Sequence, residues 1–366
     1  MHRTGTATLP LHYGRAPRWL FERMSLLARE IVIALVSEFT PEEVLKRLSD
    51  PYWFQALGCI LGFDWHSSGL TTTVTGALKE GIRGLEGEIG LFIAGGKGTT
   101  SRKTPEQIHL IGERYSIEAD RLIYASRMSA KVDNSAVQDG YQLYHHTIFF
   151  TRNGRWAVVQ QGMSASTRTA RRYHWIGEGL ESFVIEPHRA VCCDEKGMTL
   201  NMVASESEGA RNISTAIARE RPEKVIREIK STINMALAKR HGIDLSDINP
   251  ERLYTIFLKT YEHQPQDFES LLGISGVGPK TIRALSLVSE LIYGEPPSYR
   301  DPARFSFAHG GKDGTPYPVD RATYDRTIEV MRRAINSARL GNRERMDAIR
   351  RLSRYEDRVP WCGRGM

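Results

Sequence analysis

Lys280 lies in the run Gly276-Val277-Gly278-Pro279-Lys280-Thr281, between a short amphipathic segment and an apolar period of 3.6 residues at Ile282, Leu285, Val288, Leu291 and Ile292. The spacing predicts two helices, Gln266 to Leu272 and Thr281 to Tyr293, joined by a tight turn. The residue types in that turn suit one chemistry, the holding of a phosphate. Gly276 and Gly278 lack a Cβ, so the backbone there can take positive φ and lie against an anion. The N–H groups that open the second helix point at the same place, and Lys280 with Thr281 adds a cation and a hydroxyl beside them. Val277 is the apolar peg that would hold the two helices together. Such a turn grips a nucleic-acid backbone without reading its sequence. The plainer reading is a helix C-cap followed by a second helix, with no ligand.

A second basic region spans residues 151–175, which carry Arg152, Arg155, Arg168, Arg171 and Arg172 without one acidic side chain. Trp156, Tyr173 and Trp175 lie among them. Arginine forks suit phosphates and aromatic faces suit exposed bases; a solvated strand face over core tryptophans is the alternative. Residues 95–103, Gly-Gly-Lys-Gly-Thr-Thr-Ser-Arg-Lys, follow an expected strand and offer Lys97 and Arg102 to a phosphate, or form an ordinary flexible turn. They lack the Walker spacing of a nucleotide-binding loop.

Acid–base or metal chemistry has its own candidates. Asp64 and His66 share a short loop with two serines, Asp133 and Asp139 flank residues 134–138, and the pair His145-His146 follows, with His174 and His188 beyond. Clustered carboxylates hold Mg²⁺ and activate water in nucleases, so Asp64, His66, Asp133, Asp139 and His145 make an alternative catalytic set. Adjacent histidines on a strand face opposite sides, so only one of His145 and His146 can join a given site. The spacing fixes no metal ligands, and a divalent metal is expected only under this nuclease reading.

The chain has 366 residues, 40% of them hydrophobic, enough for one large core or two. Its net charge of +7 and isoelectric point near 9.2 suit a polyanionic partner; with the hairpin, a nucleic acid is expected, DNA before RNA. Cys59, Cys192, Cys193 and Cys362 form no Cys-x-x-Cys pair, and the vicinal pair cannot easily bridge, so a reducing cytoplasm is expected. An iron–sulfur cluster needs grouped thiolates, and none is expected. No signal peptide opens the sequence, and the longest apolar run, Ile31–Val36, is too short to cross a bilayer, so no membrane partner is expected.

These residues need elements to position them. Trp19–Glu38 reads as an amphipathic helix. Thr40-Pro41-Glu42-Glu43 is a capping box for the next one, and Pro51 opens a third with Trp53, Phe54, Leu57, Ile60 and Leu61 on one side. Beyond the Gly/Ser/Thr-rich stretch 67–76, the apolar run Ile89–Ala94 reads as a strand closed by Gly95-Gly96, and Thr104–Gln107 as a second capping box. Leu143–Phe150 and Trp156–Gln161 flank Asn153-Gly154, which favours a type I′ hairpin. Phe183–Glu186 and Met198–Val203 add further strands. The expected fold is α+β: residues 1–205 form an antiparallel-sheet α+β domain offering a groove or active site, and residues 206–366 an all-α helix-hairpin-helix domain. The latter's expected helices are Glu206–Arg219, Pro222–His241, Pro250–Tyr261, the hairpin pair and Arg321–Ala338.

After the hairpin come residues 309–314, His-Gly-Gly-Lys-Asp-Gly, and then Pro318-Val319-Asp320-Arg321. With these the C-terminal half resembles the helix-hairpin-helix DNA glycosylase superfamily, whose bifunctional members carry a lysine after the hairpin and a Val-Asp after the second helix. Lys280 and Asp320 match those two positions. The resemblance implies base excision with lyase activity in DNA repair, Lys280 attacking C1′ of the deoxyribose while Asp320 steers it and stabilises the sugar cation. Lys312 would add a phosphate contact. Here the interval from Lys280 to Asp320 is about twice the usual one, residues 296–318 reading as an insertion. The same Gly-Val-Gly-Pro-Lys-Thr run also occurs in structural hairpins of flap nucleases, where the lysine only touches phosphate.

Over nearly its whole length the chain also resembles the prokaryotic domain-of-unknown-function-763 family. The motifs include Gly62-Phe63-Asp64-Trp65-His66, Ala130-Lys131-Val132-Asp133, Gln138-Asp139-Gly140-Tyr141, Gln160-Gln161-Gly162-Met163 and Ala170-Arg171-Arg172-Tyr173-His174-Trp175. That family implies no activity. The functional expectation is therefore a DNA-processing protein, with a metal-dependent nuclease or a non-catalytic DNA-binding protein as alternatives.

Overall fold

A computed structural model describes residues 16–63, 68–193, 195–234, 249–304, 321–338 and 342–358. Four helices come first: α1 (Arg18–Glu38), α2 (Pro41–Ser49), α3 (Pro51–Leu61) and α4 (Gly69–Gly81). Thr40 caps α2 by accepting from the Glu43 N–H at 3.3 Å, and Asp50 caps α3 by accepting from Tyr52 and Trp53 at 2.8 and 3.0 Å. The Gly/Ser/Thr-rich stretch lies largely within α4. Next come α5 (Glu86–Ile89), β1 (Leu91–Lys97), α6 (Thr99–Arg102), α7 (Thr104–Tyr115) and α8 (Ala119–Lys131), which runs into a π-helical turn at Val132–Ala136. Six strands follow: β2 (Val137–Gln138), β3 (Gln142–Thr151), β4 (Trp156–Ser164), β5 (Thr169–Ile176), β6 (Ala190–Cys192) and β7 (Leu200–Asn201). Seven α-helices follow among the described residues: α9 (Glu208–Ala218), α10 (Pro222–Asn234), α11 (Pro250–His263), α12 (Phe268–Gly273), α13 (Pro279–Tyr293), α14 (Arg321–Ser337) and α15 (Asn342–Arg358).

The fold is α+β. Its main sheet has the order β1-β3-β4-β5-β6, antiparallel throughout. Side chains alternate across it with the period of 2 that a pleated strand imposes. Leu91, Ile93, Phe149, Ala157, Val159 and Ala170 enter a core shared with α1–α4, α14 and α15. Phe92, Ala94, Ile148, Phe150, Val158 and Trp175 enter a second core shared with α7–α13. The result is a sheet covered by helices on both faces. The second core runs continuously across residue 205, and α14 and α15 return to close the first.

Several local expectations are corrected. β1 does not stop at Gly95-Gly96 but continues through both to Lys97. Gly95 has φ +100, and a Cβ there would come within 2.3 Å of the His146 carbonyl oxygen, so the close strand approach requires glycine. No capping box forms at residues 104–107. Gln107 instead accepts through Oε1 from the Gly95 N–H at 2.9 Å and from Lys79 Nζ at 2.7 Å. The Asn153-Gly154 loop is not type I′, which needs positive φ at two residues: only Gly154 takes it, at +77. Bonds from Gly154 N to Thr151 O and from Thr151 N to Arg155 O, 3.0 and 2.9 Å, make a three-residue loop that ends on the left-handed glycine. Residues 183–186 form no strand, because Phe183 is turned into an aromatic cluster, and the expected strand at 198–203 narrows to β7.

The packing of α1 on α4 gives a test. A Cβ on Gly81 would lie 2.5 Å from the Ser25 carbonyl oxygen, a backbone atom that cannot swing away. Gly81→Ala should lower unfolding stability by about 1–3 kcal/mol. Gly197→Ala, whose Cβ meets nothing within 4 Å, should leave the denaturant midpoint unchanged. Equal midpoints for the two variants would refute this account of the interface.

Candidate nucleic-acid interface and the polar core behind it

Two adjacent rungs of the sheet are polar. His145, Gln161 and Arg172 are register partners across β3, β4 and β5, and so are His146, Gln160 and Tyr173. The rungs face opposite sides, as expected for the two histidines. On the α1–α4 side, His145 Nε2 lies 3.0 Å from both Thr75 Oγ1 and Thr147 Oγ1. Arg172 donates to Thr71 and Gln55, both at 2.9 Å, with its guanidinium 4.8 Å from the Phe54 ring. Gln161 donates to Ser68 O and to the Tyr144 hydroxyl, and His174 stands edge-on to Phe54.

The other side centres on Asp133, fully buried in the π-helical turn. Its Oδ2 accepts from Gln160 Nε2 at 2.5 Å and Trp175 Nε1 at 2.9 Å, and its Oδ1 from His188 Nε2 at 2.5 Å. Because the Gln160 nitrogen faces the carboxylate, its oxygen faces His146 Nδ1, 2.7 Å away. His146 therefore carries its proton on Nδ1, and its Nε2 accepts from the Ser126 hydroxyl at 2.8 Å. Burial holds this imidazole below the ordinary histidine range. Next along the sheet, Arg171 pairs with Asp139 at 2.9 Å and with both oxygens of Asp301 at 3.0 and 2.8 Å. The Tyr173 hydroxyl completes the set on Asp139 at 2.7 Å. Burial opposes the Arg171 charge, but Asp139, Tyr173 and Asp301 outweigh it and push its pKa above the ordinary value.

Two residues before Asp133, Lys131 points the other way. Its Nζ donates to the carbonyls of Val277 and Ile274, at 2.5 and 3.3 Å, in the turn between α12 and α13. Gln138 Nε2 donates to the Pro279 carbonyl at 2.8 Å, and its Oε1 accepts from Arg283 at 2.9 Å. Asp267 and Ser270 form a reciprocal capping box at the start of α12. Val277 is buried, as its peg role requires, whereas Ser275, Gly276 and Lys280 are exposed. Gly276 takes φ +99, but Gly278 is extended, at φ −144, and serves as the N-cap of α13, so only one of the two glycines uses positive φ.

The sequence candidates thus separate. Lys97, Arg102 and Arg168 are exposed, Arg168 in a left-handed turn position. Arg171 and Arg172 are buried on opposite faces, so neither lies on a phosphate-binding surface. The Thr281 side chain is buried too, which leaves only its backbone near the turn. Tyr173 and Trp175 are core residues, and of the three interleaved aromatics only Trp156 reaches a cleft. His145 lies across the sheet from Asp133, while Asp133 and Asp139 hold different partners, so these three do not gather into one metal site. Among the described residues no group of three or more His, Cys, Asp or Glu is placed to hold a metal ion. Asp64, His66, Lys312 and Asp320 lie outside the described residues. Reasoning from sequence missed Lys131, Gln138, Gln160 and Asp301, whose partners are distant along the chain. Two signals were available: the first three stand in the motifs that carry the family resemblance, and a glutamine inside an apolar strand must find a partner when buried.

An α+β protein with a helix-covered antiparallel sheet, a buried carboxylate network and a helical turn fastened to it is the class these features define. The chain belongs to the family described as "Protein of unknown function (DUF763)", whose model matches residues 5–319. Comparisons with curated proteins and with solved structures gave no match. No helix among the described residues is long and apolar enough to cross a membrane.

Two outcomes are expected from this core. Asp133→Asn leaves three buried donors facing a single acceptor oxygen and should cost about 2–4 kcal/mol of stability by urea unfolding; full stability in that variant would contradict the network. The second concerns pH. Burial pushes His145 down to about 3 and lowers His146 and His174, against 6.5 for a free imidazole. Groups with depressed folded values favour the native state fully above the unfolded pKa and lose that contribution as pH falls towards the folded one. Stability should therefore drop between pH 6.5 and about 4, by about 1.4 kcal/mol per histidine per pH unit at most. Denaturant midpoints that stay level from pH 7.5 to 5 would exclude the neutral buried imidazoles.

Proposed function

We propose that this protein binds the backbone of DNA through the turn between α12 and α13, with Gly276 and Lys280 at the contact. The observation that carries the reading is the one-sidedness of the turn. The carbonyls of Ile274, Val277 and Pro279 are drawn inward by Lys131 and Gln138, while Ser275, Gly276 and Lys280 face outward. The negative ends of those peptide dipoles are thereby taken from the surface. At the start of the 15-residue α13 Pro279 carries no N–H and the Ile282 N–H donates to the Gly278 carbonyl at 3.0 Å, while the helix dipole favours an anion at this end. The net charge of +7 adds a long-range attraction. An exposed Lys280 suits a phosphate contact. Within this reading, Lys280 as the lyase amine assisted by Asp320 is the catalytic extension.

Duplex binding followed by anisotropy across a salt series tests both. Lys280→Ala should weaken unrelated sequences equally and reduce the salt slope by about 1. Lys131→Met should weaken binding as well, by loosening the turn. Unchanged affinity and slope in Lys280→Ala and in Gly276→Val would defeat the proposal. Borohydride trapping on abasic DNA separates contact from catalysis: an adduct lost in Lys280→Ala would establish the lyase, and no adduct in wild type would leave a binding protein.

A further inference from the structure

An open cleft of about 530 Å³ lies between the N-terminal half of α8 and the far end of β4 and β5. Its walls are aromatic. The Trp156 and Phe183 rings are within 5° of parallel, with centroids 5.9 Å apart, and Tyr124 stands at 85° to Phe183, 5.6 Å away. Trp156 and Phe183 pack against the second core, and with Tyr124 they line the cleft with rings set nearly at a right angle. Asp120 and Arg121, both exposed, line it together with Leu180, and Arg121 lies 3.6 Å from the Glu118 carboxylate. Trp156 rests on Gly177, where a Cβ would come within 2.5 Å of the indole nitrogen, so any larger residue there would displace the ring.

The cleft is joined to the α12–α13 pair. Glu269, on α12, accepts from the Tyr124 hydroxyl at 2.5 Å and from the Phe183 N–H at 3.3 Å. One carboxylate therefore fixes two walls of the corner, and the same six-residue helix, about 9 Å long, ends at the exposed turn.

We infer that the cleft takes an unpaired nucleobase, stacked in the corner of Tyr124, Trp156 and Phe183 with its polar edge towards Asp120 and Arg121. The corner is flat-walled, apolar within and of the size that holds a small ligand. Every base offers a π-face for stacking, and a guanidinium beside a carboxylate supplies both a donor and an acceptor to its edge. The inference takes its partner class from the backbone-binding proposal, but the two fail separately.

The probe is deoxyadenosine, which has no phosphate for the turn to hold. In ¹H–¹⁵N spectra of the full chain, the Trp156 indole signal, assigned with Trp156→Phe, should shift on its addition. Tyr124→Ala, at a residue already 45% exposed, should abolish the shift without unfolding the protein. A single-stranded oligonucleotide with a central adenine should bind about tenfold more tightly than one abasic there, and Tyr124→Ala should erase that difference alone. No shift and no abasic difference, with oligonucleotide binding intact, would overturn the cleft and leave the turn standing. A shift without any oligonucleotide binding would overturn the turn and support the cleft. Equal shifts from deoxyadenosine and N-acetylphenylalaninamide would overturn a base site in favour of a peptide aromatic side chain.

Discussion

The polar network that joins β4 and β5 to the helices on one side of the sheet centres on the buried carboxylate of Asp133. An ionised group with no access to water costs several kcal/mol unless donors replace its hydration. Here three do, from β4, β5 and the segment that holds His188. Each donor is itself constrained: Gln160 by His146, Trp175 by its place in the second core, and His188 by the Trp175 ring 4.6 Å away. Residues two apart on a helix point to nearly opposite sides, so Asp133, at the start of the π-helical turn, faces the sheet while Lys131 reaches the α12–α13 turn. A charge in the core and a loop at the surface are thereby parts of one connected frame.

The polar rungs do more than satisfy one another. Strand register in a sheet buried on both faces is weakly specified by apolar residues alone, because either face accepts them. A slip of one residue between β4 and β5 would set Gln160 against Arg172 or His174, whose side chains point to the opposite face, and would strand the partners of both. The ion pairs of Arg171 with Asp139 and Asp301 extend the same constraint to the segment beyond α13. Such pairs add little net stability over apolar packing of equal volume, but breaking them leaves a buried charge. Their contribution lies in uniqueness of the register and in fastening the helical second half to the sheet.

The regular elements were legible in the sequence because period and punctuation state them locally. Thr40, Asp50 and the prolines that follow mark helix starts, and the apolar period from Ile282 to Ile292 marks α13. The α+β class follows from the same signals. What could not be read was tertiary. Gln107 was read as part of a capping box and instead serves Gly95, twelve residues upstream. Arg171 and Arg172 read as surface cations because no acid lies near them in sequence, but the acids that neutralise Arg171 stand at 139 and 301. The turn between α12 and α13 was legible from its glycines and the apolar period that follows, whereas its attachment to Lys131 required knowing that residues nearly 150 positions apart are neighbours.

That attachment bears on how the turn would act. A loop that must order itself on binding loses conformational entropy to do so, and affinity falls by that amount. Here the order is already present in the free protein, fixed by the capping box at Asp267, the Val277 peg and the lysine beneath the turn. The same lysine is partly buried, and burial lowers its pKa from the ordinary value. The protein tolerates this cation in an unfavourable place, and two carbonyl oxygens are what compensate it. The alternative for those oxygens, solvation at the surface, would set negative dipole ends beside an approaching phosphate. Drawing them inward removes that repulsion, and the position of Lys131 thus shapes the electrostatics of a surface it does not itself reach.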